Sequence, residues 1–198
     1  MIHILSSLIS DQFLRHDIIS KDAKDVYTYG VEIIISSIIG LIITIMMGIF
    51  FNCLIQSMIY YVIFVALRSM TGGYHASTYL KCNIVFSSIS LFTLLFSKAA
   101  SSIKLSIGII TLFFLPAIAT FLWLAPIENS NKPIEKKKRI YWKVTSVLLS
   151  VFLYILSILL YINSHIFEAA VIIITVFVVS ILCIIPSIQK GDNGNGYY

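Results

Sequence analysis

His75 and Cys82 stand seven residues apart in a polar stretch that runs from Arg68 to Asn83 between long apolar runs. An imidazole close to a thiol takes its proton or pairs with the thiolate, and either arrangement makes a competent nucleophile. Spacing alone leaves a catalytic dyad and a chance co-occurrence both open. On one unbroken helix seven residues rise about 10.5 Å, too far for the two side chains to bond. The chain must therefore bend between them, or His75 must sit on a loop that folds back. Gly72 and Gly73, just before His75, supply a helix stop and let the backbone approach a substrate closely. Their N–H groups are candidates for an oxyanion hole, although two glycines also read as a plain turn.

The remaining thiols and imidazoles fit this chemistry less well. Cys183 falls deep in an apolar run, where a neutral thiol behaves as a small hydrophobe. Cys53 and His165 are expected on the opposite membrane face, and His3 and His16 have no glycine-rich setting. Cys82 alone has a basic neighbourhood, made by Arg68, His75 and Lys81. Three cysteines without a CxxC spacing suggest neither a disulfide framework nor a zinc site. No metal or cofactor is expected.

The elements that must position these residues are membrane spans. Apolar residues make up 59% of the 198 and charged residues only 12%, about half the usual share for a soluble domain. A soluble chain of this length exposes too much surface to hide that apolar fraction, so an all-α, polytopic integral membrane protein is expected. Residues 1–31 carry Ile2, Leu5, Ile9 and Phe13 on one helical stripe with charges interspersed, which suits an interfacial amphipathic helix. They do not read as a signal peptide, because Asp11 interrupts the apolar run and the first basic residue is Arg15.

From Ile33 to Leu67 no charge occurs. A single helix of that length would run about 50 Å against a hydrocarbon core of roughly 30 Å. A hairpin of two spans is predicted, turning near Gly48 to Asn52, with Asn52 and Gln56 wet at the turn. Further spans are predicted over 84–96, 105–124 with Pro116 as a kink, 144–162, and 169–185 with a stop at Pro186. The result is one membrane domain, with an interfacial segment 1–31, spans within 33–186 and a polar tail 187–198. About six spans are expected; four spans plus two shallow segments satisfy the charge pattern equally.

Six spans put both termini on one side, together with Arg15, Lys21, Lys24, Arg68, Lys81, the Lys132–Lys143 loop and Lys190, leaving only Lys98 and Lys104 opposite. The positive-inside rule then places both termini, the 68–83 stretch and the basic loop in the cytoplasm. Trp123 and Trp142 flank that loop, where an aromatic belt belongs. The net charge of +5 is accounted for in this way, and no nucleic-acid partner is expected.

The order Arg68, Gly72, Gly73, His75, Ala76 and Cys82 resembles the accessory gene regulator B (AgrB) family. A second stretch, Ala125-Pro126 through Asn129, Asn131 and Lys132-Pro133, resembles the segment that follows the family's fourth span. The resemblance covers nearly the whole chain. It implies a membrane-embedded cysteine endopeptidase of quorum sensing, which removes the C-terminal tail of a small AgrD-like precursor and closes the remainder into a thiolactone or lactone. It implies Cys82 as nucleophile and His75 as general base and then acid, and it suggests a homodimer in the cell membrane. Arg68 either orients substrate, holds the loop or acts as a positive-inside anchor. The basic loop with Lys132 and Pro133 either attracts an acidic precursor tail or sets topology. The competing function is a non-enzymatic exporter of a signal peptide. Transport sites usually show ionisable groups or broken helices at mid-membrane, whereas here the polar residues collect at one face.

Overall fold

The structure, a computed structural model, describes residues 2–73, 79–103, 106–127 and 136–192. Among these residues seven α-helices run in the order α1 (Ile2–Arg15), α2 (Lys24–Phe50), α3 (Leu54–Thr71), α4 (Tyr79–Ser102), α5 (Ile107–Leu124), α6 (Lys136–Ile162) and α7 (Ile166–Asp192). A 3-10 turn at Lys21–Ala23 joins α1 to α2. The six helices after α1 are each long and apolar enough to cross a bilayer. Six candidate spans match the expected number, and the fold is all-α and polytopic.

α7 is the centre of the bundle and packs against α3, α4, α5 and α6. Its sequence is apolar on every face, as suits a membrane span, and its central place comes from packing. Eight consecutive residues, Ala169 to Val176, are each at most 2% exposed. The surrounding helices turn large apolar side chains outward and small ones inward, as expected when lipid is as apolar as the core and close backbone approach supplies the attraction. On α2 the inward line is Gly40, Thr44 and Gly48; on α4 it is Ser90, Thr93 and Ser97; on α6 it is Ser146, Ser150 and Ser157. Gly48 lets α3 come so close that a methyl group there would lie 2.9 Å from Leu54 Cα. Ser157 Oγ donates to the Ala169 carbonyl at 3.0 Å and ties α6 to α7.

The expected hairpin turns at residues 51–53, where Asn52 takes φ +53° and the Cys53 N–H donates to the Gly48 carbonyl at 2.8 Å. Asn52 is exposed as expected, but Gln56 donates to Glu168 Oε1 at 2.8 Å and so belongs to a side-chain pair. Several boundaries move outward. α2 begins at Lys24, so the last residues of the expected interfacial segment 1–31 belong to the first candidate span. α4 ends at Ser102 rather than near Phe96, which places Lys98 in the helix and not at the expected turn. α4 begins at Tyr79 rather than near Ile84, which places Cys82 inside the helix. α6 begins at Lys136, because a basic first turn can stand in the headgroup layer while its backbone is helical. α7 continues past Pro186 to Asp192, since a proline ring breaks a helix only when its lost bond cannot be tolerated.

The N-terminal segment is helical and lies along α2. It packs through Ser6 and Ser10, both fully buried, while Ile4, Leu5 and Leu8 face outward. Contact through small residues, with the apolar ones left for lipid, is again the membrane pattern.

Candidate functional site

The chain direction brings one end of α2, α3, α4, α5 and α7 together. α3 arrives there with Arg68 and Thr71 and stops at Gly72, which has φ +66°, followed by Gly73 at φ +113°. Both values lie in the left-handed half of backbone space that glycine enters freely. Space imposes the same choice. A Cβ on Gly72 would collide with the Ile127 carbonyl oxygen, and one on Gly73 would collide with the Arg68 guanidinium and lie 2.7 Å from the Leu182 carbonyl oxygen.

The segment after α5 closes on this turn. Ala125 and Pro126 are joined by a cis peptide bond, Gly72 and Ile127 form an isolated parallel bridge, and the Ile127 N–H donates to the Thr71 carbonyl at 2.9 Å. Thus two stretches separated by more than fifty residues in the chain are hydrogen-bonded neighbours.

Arg68 lies beneath the turn and is half-buried. Its Nη1 donates to the Gly72 carbonyl, and its charge lies within electrostatic reach of the thiols of Cys82 and Cys183. Of the roles open to Arg68, holding the loop is the one with a visible bond. Cys82 sits three residues after Tyr79 in the first turn of α4 and is half-buried. Two bonds from α2 hold this turn. Glu32 Oε2 accepts from Tyr79 Oη at 2.5 Å, and Ser36 Oγ donates to Asn83 Oδ1 at 3.1 Å.

His75, Lys132 and Pro133 lie outside the described residues. The structure brings Arg68, Gly72, Gly73 and Cys82 to one end of the bundle, and the segment holding His75 connects Gly73 to the first turn of α4. Cys53 and His165 are at the other end, Cys53 near Lys98 and His165 near Glu168. Burial pushes the Cys53 thiol above its ordinary pKa, and the Lys98 charge only partly offsets that. Among the described residues no group of three His, Cys, Asp or Glu side chains could hold a metal ion.

Three contributors escape a reading of the sequence. Cys183 is fully buried, as an apolar position suggests, yet it hydrogen-bonds Thr71 and faces Arg68, so it is part of the site's floor. Nothing in its neighbourhood in the chain signals this. Tyr79 looks like an ordinary interfacial aromatic. Glu32 carries the one available signal, a carboxylate directly before a run of 35 uncharged residues.

The family model described as AgrB, accessory gene regulator B, matches residues 4–185. An AgrB-like protein of Clostridium perfringens strain SM101 / Type A is 29% identical over 161 residues, covering 77% of this chain and 74% of its own length. An AgrB-like protein 2 of Clostridium perfringens strain 13 / Type A is 28% identical over 161 residues with the same coverage. No solved structure gives a significant match.

Proposed function

The chain belongs to the accessory gene regulator B family of quorum-sensing membrane proteins, and from that premise we propose that it is a cysteine endopeptidase acting on a small AgrD-like precursor peptide. One observation carries the reading furthest. Arg68 binds the Gly72 carbonyl while facing the Cys82 thiol, so that the glycine turn, the cation and the nucleophile form one unit.

In the proposed reaction His75 takes the Cys82 proton and the thiolate attacks the scissile carbonyl of the precursor. The tetrahedral oxyanion collapses, His75 returns the proton to the leaving amine, and the C-terminal tail departs. The remainder stays on Cys82 as a thioester. A thiol or hydroxyl within the same precursor then attacks that thioester, giving its proton to His75, and Cys82 leaves. The product is a thiolactone or lactone, and the regenerated thiolate recovers the proton from His75. Exchange of one thioester for another is close to neutral in bond type, and an attacker already tethered to the acyl group has a large advantage in effective concentration over a free nucleophile. A half-buried thiol limits competing water.

Arg68, Gly72 and Gly73 shape the site, and the basic loop with Lys132 and Pro133 first sets topology and secondarily attracts the precursor's acidic tail. The working protein is a single multi-pass domain of the cell membrane with the Cys82 end and both termini cytoplasmic, and it associates with a second copy. The test is cleavage of the precursor in membranes containing the native protein, Cys82→Ala or His75→Ala. Cleavage is expected from the native protein alone, with all three inserted at equal level. Cleavage by Cys82→Ala, or transport of uncleaved peptide by that variant, overturns the reading.

A further inference from the structure

Glu32 is a carboxylate in the membrane-spanning part of α2 and is only 7% exposed. Ionisable groups in such positions are costly, and they persist where they have partners and a task. Both of its oxygens are engaged. Oε2 accepts from Tyr79 Oη at 2.5 Å, and Oε1 lies 2.6 Å from His3 Nδ1. Three different helices thus meet at one carboxylate: α1 through His3, α2 through Glu32, and α4 through Tyr79.

The placement of Tyr79 gives the contact its meaning. It is the first residue of α4, and Cys82 follows three residues later, a spacing that puts both on one helix face. Tyr79 and Cys82 are close enough to interact electrostatically. One turn further along α2, Ser36 holds Asn83, the residue after Cys82. The first turn of α4 is therefore gripped on both sides of the thiol by α2, and the stronger grip is the charge-assisted one.

We propose that Glu32 is a positioning residue of the Cys82 site: its hydrogen bond to Tyr79 fixes the first turn of α4, and with it the thiol, relative to the glycine turn. The proposal rests on the peptidase reading for its kinetic consequence but not for its structural one. His3 supplies the second donor and docks α1 at the same point.

The experiment uses the full-length protein in lipid nanodiscs with a synthetic precursor peptide. Glu32→Leu removes the acceptor, Tyr79→Phe removes the donor, and Glu32→Gln keeps an acceptor oxygen of nearly the same shape. Two quantities are measured on each variant and on the Glu32→Leu/Tyr79→Phe double variant. One is kcat and KM for cleavage; the other is the rate at which iodoacetamide alkylates Cys82, read by mass spectrometry. Glu32→Leu and Tyr79→Phe should each lower kcat roughly tenfold or more, the scale of losing a hydrogen bond to a charged group, with KM little changed. The double variant should be no worse than Glu32→Leu alone, because the Tyr79 bond is already lost there, and Glu32→Gln should recover most of the rate. The alkylation rate at Cys82 should shift in Glu32→Leu, Tyr79→Phe and the double variant but not in Glu32→Gln, while Cys53 and Cys183 stay protected and certify an intact bundle. Additive losses, an effect on KM alone, or an unchanged Cys82 alkylation rate overturn the proposal. If the native protein cleaves no precursor, the peptidase reading fails, and the alkylation rates still decide whether Glu32 positions the thiol.

Discussion

The Ile127 N–H donates to the Thr71 carbonyl at 2.9 Å, which fastens the segment after α5 to the end of α3. The glycine turn cannot shift without breaking this bond or the one from Arg68 to the Gly72 carbonyl. The turn leads into the segment of His75, the base in the proposed mechanism, and small displacements of a reacting group cost orders of magnitude in rate.

Substitution of the glycines tests this construction. Gly72→Ala forces a side chain into a left-handed conformation against the Ile127 carbonyl, and Gly73→Ala does so against Arg68 and Leu182. Each should destabilise the folded state by about 1–3 kcal/mol and abolish precursor cleavage. Thermal unfolding in detergent and a cleavage assay read the two effects. Native-like melting and activity in both variants would contradict the close packing of the turn.

Arg68→Lys separates charge from geometry. Lysine keeps the positive charge but lacks the planar fork that lets one group bond the Gly72 carbonyl and face the thiols together. Cleavage should fall roughly tenfold or more, as expected for loss of a hydrogen bond from a charged group, while insertion and yield are unchanged. Full activity in Arg68→Lys would reduce Arg68 to a topological anchor.

Thiol labelling should follow burial. Cys82 is half-buried, whereas Cys53 is 2% exposed and Cys183 fully buried. A short iodoacetamide pulse near neutral pH should therefore modify Cys82 first. Burial raises the Cys53 pKa, so less of its thiolate is present at a given pH, and its labelling should rise only above the pH at which an ordinary thiol reacts. Mass spectrometry of peptides after pulses at several pH values checks the order, and early labelling of Cys53 would contradict it.

The proposed orientation is tested by single cysteines at exposed positions on the two ends, in a background lacking the native three. Asn52→Cys lies in the α2–α3 turn and Ser20→Cys lies before α2. A membrane-impermeant maleimide added to intact cells should label Asn52→Cys directly and Ser20→Cys only after permeabilisation. The opposite pattern would place the Cys82 end outside the cell.

Much of this architecture is legible in the chain. The uncharged run from Ile33 to Leu67 fits a hairpin better than one long helix, and the structure turns it at residues 51–53. Gly72 and Gly73 signal the break between α3 and α4 because no other residue type adopts their conformations so freely. Tertiary contacts are less visible. The hydrophobic pattern of α7 identifies a span, yet an apolar sequence cannot tell a central helix from a lipid-facing one, since both environments are apolar. For the same reason Cys183 reads as filler, and only the packing of α7 against α3 brings it to Thr71 and Arg68. Glu32 and Tyr79 lie 47 residues apart, and their pairing depends on how α2 and α4 align. The helix starts at Tyr79 and Lys136 precede the apolar runs because a backbone can begin its helix in the headgroup layer.

The most direct measurement of the central claim is mass spectrometry of the precursor peptide after co-expression with the native protein or with Cys82→Ala. A truncated peptide, lighter by one further water than linear hydrolysis would leave, is expected from the native protein alone. The same truncated product from both proteins would show that Cys82 is not the nucleophile and would contradict the mechanism.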